Sequence, residues 1–491
     1  MENLEQHFAP FRANIVGEGQ TFLTPYGEQR IVYADWTASG RLYRPIEESL
    51  VERFGPFVGN THSESSVTGS AMTHAYHEAH RIIREHVNAG PDDLILACGA
   101  GMTAAVNKLQ RILGLKAPQG LRRYVSWPER ERPVVFVTHM EHHSNHTSWY
   151  ETFADVVVVP PDDQGVVNLD ALEEQLDQYR DRALKIGAFT ACSNVTGIIT
   201  PYHAMAKVMH RAGGVAFIDF AASAPYLPID MRPADPAERL DAVLFSPHKF
   251  LGGPGSPGVV IFNRALYHNT VPDDAGGGTV SWTNPWGQYA FLDDIESRED
   301  GGTPAFLQTI KAALAVQLKE QMGADAMRQR EEQIVAHAMN ALQRIPGVHL
   351  LAPSGRHRLA MLSFWVEGVH YNLMVRLLND RFGVQSRGGC SCAGTYGHYL
   401  LHVDPSRSKA ITDRIDRGDL SEKPGWVRLS FHPAMTMGDI DHCLTAVAEV
   451  VEHAETWSRD YVYSPATNEY AHRDGDAALK ARVGAWFGGS T

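Results

Sequence analysis

Between about residue 90 and residue 263, short runs of apolar and β-branched residues alternate with segments whose apolar positions recur every three or four residues. The first pattern is typical of buried strands and the second of amphipathic helices, so their alternation predicts βαβ units in an α/β fold with a parallel sheet. The predicted strands cover residues 94–97, 134–137, 186–190, 215–218, 242–245 and 259–262.

Polar residues follow these predicted strands at the points where the strands end. In open α/β sheets, ligands bind beyond the carboxyl ends of the strands, so we expect the polar segments to converge on one pocket. These segments are residues 138–142, 193–194, Asp219 and 246–249.

The pattern also indicates how the chain is divided into domains. A glycine-rich stretch at 276–278 continues to 300–304, and it predicts a loop that closes the first domain before a helix from about 305 to 322. Shorter strands and helices then predict a smaller α+β domain, and a polar tail follows it. We therefore predict an N-terminal arm (1–30), a large domain (31–320), a small C-terminal domain (321–455) and a C-terminal tail (456–491).

Composition restricts the function classes. The 491 residues carry a formal charge of −13 without a block rich in lysine and arginine, which argues against a nucleic-acid partner or an anionic membrane surface. Residues 1–20 have no apolar core, and no apolar run approaches the roughly 20 residues of a membrane helix. Five cysteines form no disulfide framework, so we expect a cytoplasmic protein with no membrane partner.

Lys249 and Asp219 are the first candidates for chemistry. Taken alone, Lys249 after the strand 242–245 is an ordinary residue at a strand edge. Asp219, at the end of the preceding strand, changes this interpretation, because pyridoxal 5'-phosphate (PLP) needs a lysine for its aldehyde and a carboxylate that keeps its pyridine nitrogen protonated. The pair predicts a PLP site in which Lys249 carries the cofactor as a Schiff base.

The phosphate of PLP requires hydrogen-bond donors at a helix start. Gly101, Met102 and Thr103 open a predicted helix directly after a strand, and they supply backbone N–H groups, a hydroxyl and a favourable helix dipole. Ser246 and His248 add donors beside Lys249, although both are also ordinary turn residues. The G-x-G-x-x-A pattern at 99–104 is a dinucleotide fingerprint as well, but no ribose-binding acid follows the next strand early.

A histidine cluster lies at residues 139, 142, 143 and 146. Imidazoles are common metal ligands, but no cysteine or second carboxylate motif accompanies the cluster. We therefore favour stacking of one histidine on a planar cofactor ring over metal binding, and we predict no metal site.

Several segments together resemble the class V aminotransferases, and within them the cysteine desulfurases and selenocysteine lyase-like enzymes. The resemblance covers about residues 30–450 and implies the fold type I of PLP-dependent transferases, with a mainly parallel seven-stranded sheet in the large domain. It implies that His142 stacks on PLP and relays protons, that Asn194 lies near the phenolic oxygen of PLP, and that Thr303 reaches the phosphate in the neighbouring subunit of a homodimer. The matching segments are 140–145 (M-E-H-H-S-N), 193–197 (S-N-V-T-G), 246–249 (S-P-H-K) and 302–304 (G-T-P).

The same resemblance extends to substrate and nucleophile. Arg428 resembles the arginine of the family that binds the substrate carboxylate, and Arg387 begins R-G-G-C-S-C, in which Cys392 falls at the position of the desulfurase nucleophile. This implies that L-cysteine is the substrate, that Cys392 accepts its sulfur as a persulfide, that alanine is released and that a sulfur acceptor protein follows. The Cys-x-Cys form is also similar to molybdenum cofactor sulfurases.

Three departures from the desulfurase pattern leave other functions open. Ala222 stands where desulfurases place a glutamine, Trp36 is bulky for the N-terminal active-site turn, and the tail has no counterpart in simple desulfurases. The alternatives are a β-lyase, epimerase or aminotransferase without persulfide chemistry, and a non-catalytic protein that binds PLP.

Overall fold

The computed structural model describes residues 4–61, 63–355, 357–475 and 477–488. Parts of the predicted arm and tail, namely residues 1–3, 476 and 489–491, lie outside the described residues. The chain forms two compact units. The large unit comprises Met1–Val16, Trp36–Glu332 and Ser354–Leu359, and the small unit comprises Gly17–Asp35, Gln333–Pro353 and Ala360–Thr491.

The strands follow one another along the described chain in this order: β1 (Thr21–Thr24), β2 (Gly27–Arg30), β3 (Val32–Tyr33), β4 (Asp93–Cys98), β5 (Val134–Thr138), β6 (Asp155–Val159), β7 (Lys185–Thr190), β8 (Val215–Asp219), β9 (Ala242–Phe245), β10 (Gly258–Asn263), β11 (Val280–Thr283), β12 (Tyr289–Phe291), β13 (Val348–Leu350), β14 (Met361–Val366), β15 (Val384–Gln385), β16 (Arg387–Gly389), β17 (Trp426–Ser430), β18 (Tyr461–Ser464) and β19 (Glu469–His472).

The α-helices of the described residues are α1 (Leu4–Arg12), α2 (Arg44–Ser49), α3 (Val67–His86), α4 (Met102–Ile112), α5 (Thr147–Tyr150), α6 (Leu169–Gln178), α7 (Tyr202–Arg211), α8 (Ile295–Glu299), α9 (Phe306–Met322), α10 (Ala324–Leu342), α11 (Tyr371–Phe382), α12 (Gly394–Leu400), α13 (Pro405–Ile415), α14 (Met437–Trp457) and α15 (Ala477–Ala485). None of these helices combines the length and the apolar character that a bilayer crossing requires.

Within the described residues, one sheet of seven strands forms the centre of the large unit, in the order β4-β10-β9-β8-β7-β5-β6. Strands β5 to β9 run parallel to one another, and β10 is antiparallel to both β9 and β4. The mainly parallel sheet and the six predicted strands are therefore confirmed, each strand within one residue at either end. Strand β6, at the sheet edge, was not predicted.

The antiparallel direction of β10 has a simple cause. A parallel return needs a crossover, usually a helix, that carries the chain back along the sheet. Between β9 and β10 the chain has only a single helical turn, Pro247–Lys249, and glycine-rich turns, so it re-enters the sheet from the end that it has just left. This connection places Lys249 at the carboxyl end of β9.

The small unit contains an antiparallel sheet of order β13-β14-β17-β16 in its described residues, and α11 and α14 pack against each other beside it. This arrangement is the α+β pattern that the sequence predicts. Strand β3 pairs with β15 in parallel, and this pairing brings Asp35 to the end of β17.

Two segments contain more structure than the sequence analysis predicts. The segment 276–304, predicted as a loop, includes the hairpin β11–β12 and helix α8. Its strands have only four and three residues, which is too short for a periodic signal. The tail forms the hairpin β18–β19, and Tyr461 of this hairpin is 4% exposed and donates a hydrogen bond to the Asp380 carboxylate at 2.9 Å. The polar sequence pattern of the tail does not predict such anchoring contacts.

Candidate active site

Asp219 and Lys249 lie at the carboxyl ends of the neighbouring parallel strands β8 and β9. The Asp219 side chain is buried, and its Oδ1 accepts a hydrogen bond from the Ala221 N–H at 2.8 Å. Burial raises the pKa of Asp219 to about 6, while the Ala221 hydrogen bond and the positive charge of Lys249 oppose this rise. The two residues therefore interact electrostatically at one edge of the sheet.

The turn that carries Lys249 is packed tightly against the N-terminal segment of the large unit. The Gly40 N–H donates a hydrogen bond to the His248 carbonyl at 2.9 Å. A Cβ atom on Gly40 would lie 2.0 Å from the Phe250 carbonyl oxygen and 3.0 Å from that of Lys249. Only glycine allows this approach, so the backbone on both sides of Lys249 has little freedom to shift.

The N-terminus of α4 faces the same turn. Gly101 has a φ of +79°, which favours glycine, and a Cβ atom there would lie 3.1 Å from Ser246 Oγ and 3.5 Å from the His248 ring. Met102 N–H donates to Ser246 Oγ at 2.8 Å, and Thr103 Oγ1 lies 2.6 Å from Ser144 Oγ. Backbone N–H groups, hydroxyls and a helix N-terminus thus meet next to Lys249, which is the donor set that fits a phosphate group.

His248 adds a neutral ring to this donor set. Burial, and then the charge of Lys249, lowers the pKa of His248 to about 4, so the imidazole is neutral at pH 7. A neutral imidazole offers one donor and one acceptor beside Lys249 without adding a second positive charge.

His142 lies in the loop that follows β5, where its Nδ1 accepts a hydrogen bond from the Ser144 N–H at 3.1 Å. This contact requires an unprotonated Nδ1 and therefore places the proton of the neutral ring on Nε2. The neighbouring histidines have different partners: His139 Nε2 lies 3.3 Å from the Gly165 carbonyl oxygen, and His146 Nε2 lies 3.0 Å from the Tyr150 hydroxyl. In the described part of the chain, no group of three or more His, Cys, Asp or Glu side chains is placed to hold a metal ion.

Glu141 is a buried acid to which the sequence analysis gives no role. Its carboxylate accepts hydrogen bonds from the Thr138 hydroxyl at 2.7 Å, the Asn145 amide at 2.8 Å and the Thr190 N–H at 2.8 Å. Burial raises the pKa of Glu141 to about 8 despite these bonds. The side chain joins the ends of β5 and β7 directly before His142, and its position within M-E-H-H is the one sequence signal that points to it.

Asn194 and Thr303 also belong to the large unit. Asn194 is buried in the loop after β7, where Ser193 Oγ accepts hydrogen bonds from the Val195 and Thr196 N–H groups. Thr303 is exposed after α8, and its hydroxyl donates to Asn60 Oδ1 at 3.4 Å. Thr303 therefore lies on a different loop from the donors around Gly101.

Lys319, on α9, is a second buried lysine that the sequence analysis did not single out. Its ammonium group donates hydrogen bonds to the carbonyls of Ala224, at 2.7 Å, and Leu227, and it lies 5.8 Å from the centre of the Phe250 ring. Lys319 thus contacts both the turn after Asp219 and the residue after Lys249. Burial lowers the pKa of Lys319 to about 7.

In the small unit, Arg387 and Arg428 share one carboxylate. Arg428 lies on β17, is 2% exposed and donates to Asp35 Oδ1 at 2.6 Å, while Arg387 donates through Nε to Asp35 Oδ2 at 3.1 Å. Burial lowers the pKa of Arg428, and the Asp35 charge opposes this. The sequence predicts both arginines as substrate ligands but gives no sign that Asp35 joins them.

Cys390 and Cys392 lie on one tight turn of the small unit, after β16. The Ala393 N–H donates to the Cys390 carbonyl at 3.0 Å, and Ser391 and Cys392 have φ values of +50° and +56°. Two positive φ values at the central positions define a type I′ turn. Cys392 is exposed and Cys390 is half-buried. The likeness of this segment to molybdenum cofactor sulfurases stays a prediction.

A family model described as aminotransferase class-V matches residues 32–443. A probable cysteine desulfurase from Halobacterium salinarum is 27% identical over 427 residues, which are 86% of this chain and 92% of the relative. A probable cysteine desulfurase from Halalkalibacterium halodurans is 27% identical over 368 residues, which are 74% of this chain and 84% of the relative.

A solved apo structure of a cysteine desulfurase from Thermococcus onnurineus NA1 is similar in fold, with a TM-score of 0.71 and 21% sequence identity over 90% of this chain and 98% of that one. The likeness identifies the fold as type I of the PLP-dependent transferases. This fold agrees with the family match and with the donor set beside Lys249. The chain belongs to the class V aminotransferase family and is a PLP-dependent enzyme.

Proposed function

We propose that this enzyme is a cysteine desulfurase, which transfers sulfur from L-cysteine to Cys392 and releases alanine. The observation that carries the proposal is the position of Asp219 and Lys249 at the carboxyl ends of adjacent parallel strands, where the positive charge of Lys249 opposes the rise in the pKa of Asp219. The named relatives, two probable cysteine desulfurases, support the choice of L-cysteine.

The residues of the large unit suit the binding of PLP. Lys249 is the amine for the aldehyde, Asp219 is the carboxylate for the pyridine nitrogen, and the start of α4 with Ser246 and His248 is the phosphate site. When bound, PLP supplies an electron sink for negative charge on the α-carbon of an amino acid. We assign His142, whose Nδ1 accepts the Ser144 N–H, to stacking on the ring and relaying protons, and we assign Asn194 to the phenolic oxygen.

In the proposed reaction, the Lys249 amine removes the α-proton, and Arg428 with Arg387 binds the carboxylate of the substrate. The Cys392 thiolate attacks the sulfur of L-cysteine, so an S–S bond forms while the C–S bond breaks and its electron pair stays on carbon. Protonation of that carbon gives alanine, and Cys392 retains the sulfur as a persulfide. The sum is L-cysteine plus a thiol giving alanine plus a persulfide.

Two features favour a second candidate, a class V enzyme that acts on another amino acid without a persulfide. Ala222 is buried and carries no polar group where desulfurases have a glutamine, and Asp35 already holds both arginines. A different substrate would suit such a site. Under this candidate, Cys392 has no catalytic role.

One experiment distinguishes the two candidate functions. The purified enzyme, supplied with PLP and L-cysteine, is assayed for alanine and sulfide together. We expect Cys392→Ser to keep the visible absorbance of bound PLP but lose about 10³-fold or more in turnover, because the nucleophile is gone. Lys249→Ala should lose that absorbance. Wild-type rates in the serine variant would exclude the desulfurase proposal in favour of the second candidate.

We also propose a homodimer in the cytoplasm, with Thr303 directed to the phosphate site of the partner and a sulfur acceptor protein downstream of Cys392. Light scattering on the purified enzyme measures the oligomeric state. A monomer with full activity would contradict the role of Thr303.

A further inference from the structure

The turn at 390–393 places two thiols two residues apart in a backbone shape that their sequence does not favour. Type I′ turns use glycine, asparagine or aspartate at the two central positions, because both have positive φ. Here those positions hold Ser391 and Cys392. A left-handed conformation is unfavourable for a residue with a Cβ atom, so surrounding contacts must hold this turn in place.

Those contacts lie in the small unit and are specific. The Trp426 indole N–H donates to Ser391 Oγ at 3.2 Å, and both side chains are buried. Gly389, directly before the turn, pairs with Trp426 across β16 and β17. The turn therefore has a fixed buried side, at Ser391, and an open side, at Cys392. Backbone strain that is retained in this way is typical of functional sites.

The pair also differs from the other three cysteines of the chain. Cys192 and Cys443 are buried, and burial raises the pKa of each thiol far above its ordinary value. Burial raises the pKa of the Cys98 thiol to about 12. Cys192 and Cys443 are closed to solvent, and the raised pKa of Cys98 keeps that thiol neutral at pH 7, whereas Cys392 is exposed and Cys390 is half-buried.

We infer that Cys390 is a second sulfur carrier, which takes the sulfur that Cys392 has accepted. This inference rests on the proposed desulfurase function. The Cys390 thiolate attacks the outer sulfur of the Cys392 persulfide, so an S–S bond forms at Cys390 and the one at Cys392 breaks. Cys392 leaves as a thiolate, and Cys390 carries the persulfide. No oxidant or reductant is consumed, because one S–S bond replaces another.

The spacing of the two residues permits this exchange. Consecutive Cα atoms are about 3.8 Å apart, so the Cα atoms of Cys390 and Cys392 are at most about 7.6 Å apart, and a turn brings them closer. Two cysteines bond directly when their Cα atoms are about 4.4–6.8 Å apart. A bridging sulfur extends this reach further. Once emptied, Cys392 can accept sulfur from a second L-cysteine, so each chain stores two sulfur atoms.

The test counts sulfur atoms on the holoenzyme. Wild-type enzyme, Cys390→Ser and Cys392→Ser are each incubated with excess L-cysteine without a thiol reductant, and intact mass spectrometry and peptide mapping follow. We expect two added sulfur atoms on the wild type, one on Cys390→Ser and none on Cys392→Ser. Cys390→Ser should still release alanine in the first turnover at the wild-type rate, which shows that its turn is intact.

The alternative outcomes separate the two proposals. One sulfur atom on both wild type and Cys390→Ser, located on Cys392, overturns the relay but leaves the desulfurase intact. A Cys390–Cys392 disulfide with released sulfide also overturns the relay, because it means attack on the inner sulfur. Persistent alanine and sulfide formation by Cys392→Ser overturns the desulfurase proposal itself.

Discussion

The close approach of Gly40 to the Lys249 turn gives a quantitative prediction. In Gly40→Ala, the new Cβ atom would stand 2.0 Å from the Phe250 carbonyl oxygen. Carbon and oxygen atoms approach each other to about 3.3 Å at closest, so one of the two segments must move by about 1.3 Å. A displacement of about 1 Å at a catalytic group lowers turnover about 100-fold, and overpacking lowers the free energy of unfolding by about 1–3 kcal/mol.

The assay compares this variant with a glycine that has open space around it. No heavy atom lies within 4 Å of a Cβ atom built on Gly120, and its φ is not positive, so Gly120→Ala is the matched control. We expect the control to keep full turnover and to unfold within about 0.5 kcal/mol of wild type. Alanine formation from L-cysteine, PLP absorbance and denaturant unfolding are measured on both. If Gly40→Ala matched Gly120→Ala in all three, the rigidity assigned to the Lys249 turn would be wrong.

Two further predictions concern buried charges. Asp35→Asn leaves the buried Arg428 without its carboxylate, so we expect the free energy of unfolding to fall by about 3 kcal/mol. The control Asp177→Asn breaks the exposed pair with Arg180 and should lower it by less than about 1 kcal/mol. Equal losses of the two variants in denaturant unfolding would contradict the assigned burial of Arg428. The pKa of Lys319 is about 7 in the folded chain and about 10.4 in the unfolded chain. Between these pH values the unfolded chain binds more protons, so the free energy of unfolding rises with pH, by at most about 1.4 kcal/mol per pH unit. Lys319→Met should lack this rise. If the wild type and Lys319→Met gave identical pH profiles of unfolding from pH 7 to pH 9, the lowered pKa of Lys319 would be wrong.

The strands of the large unit were predictable because their signal is local. Each buried strand is a short apolar run with turn residues at its ends, and the polar residue that follows it marks the carboxyl end of the strand. This rule predicts that Asp219 and Lys249 lie at one edge of the sheet. Strand β6 carries the same local signal, four consecutive valines before Pro160, so its absence from the predicted strands is an omission and not a limit of the sequence.

The amino-acid sequence by itself determined the α/β alternation, the order of the motifs and the residues that carry the chemistry, because strand patterns and helix-start signals depend on neighbours in the chain. Tertiary structure decided the contacts between distant segments. Asp35 meets Arg387 and Arg428 across 352 and 393 residues, Lys319 reaches the turn after Asp219 across 95 residues, and Gly40 closes on a turn more than 200 residues away. No local pattern encodes such a contact, since it exists only once sheet pairing and helix packing have brought the segments together.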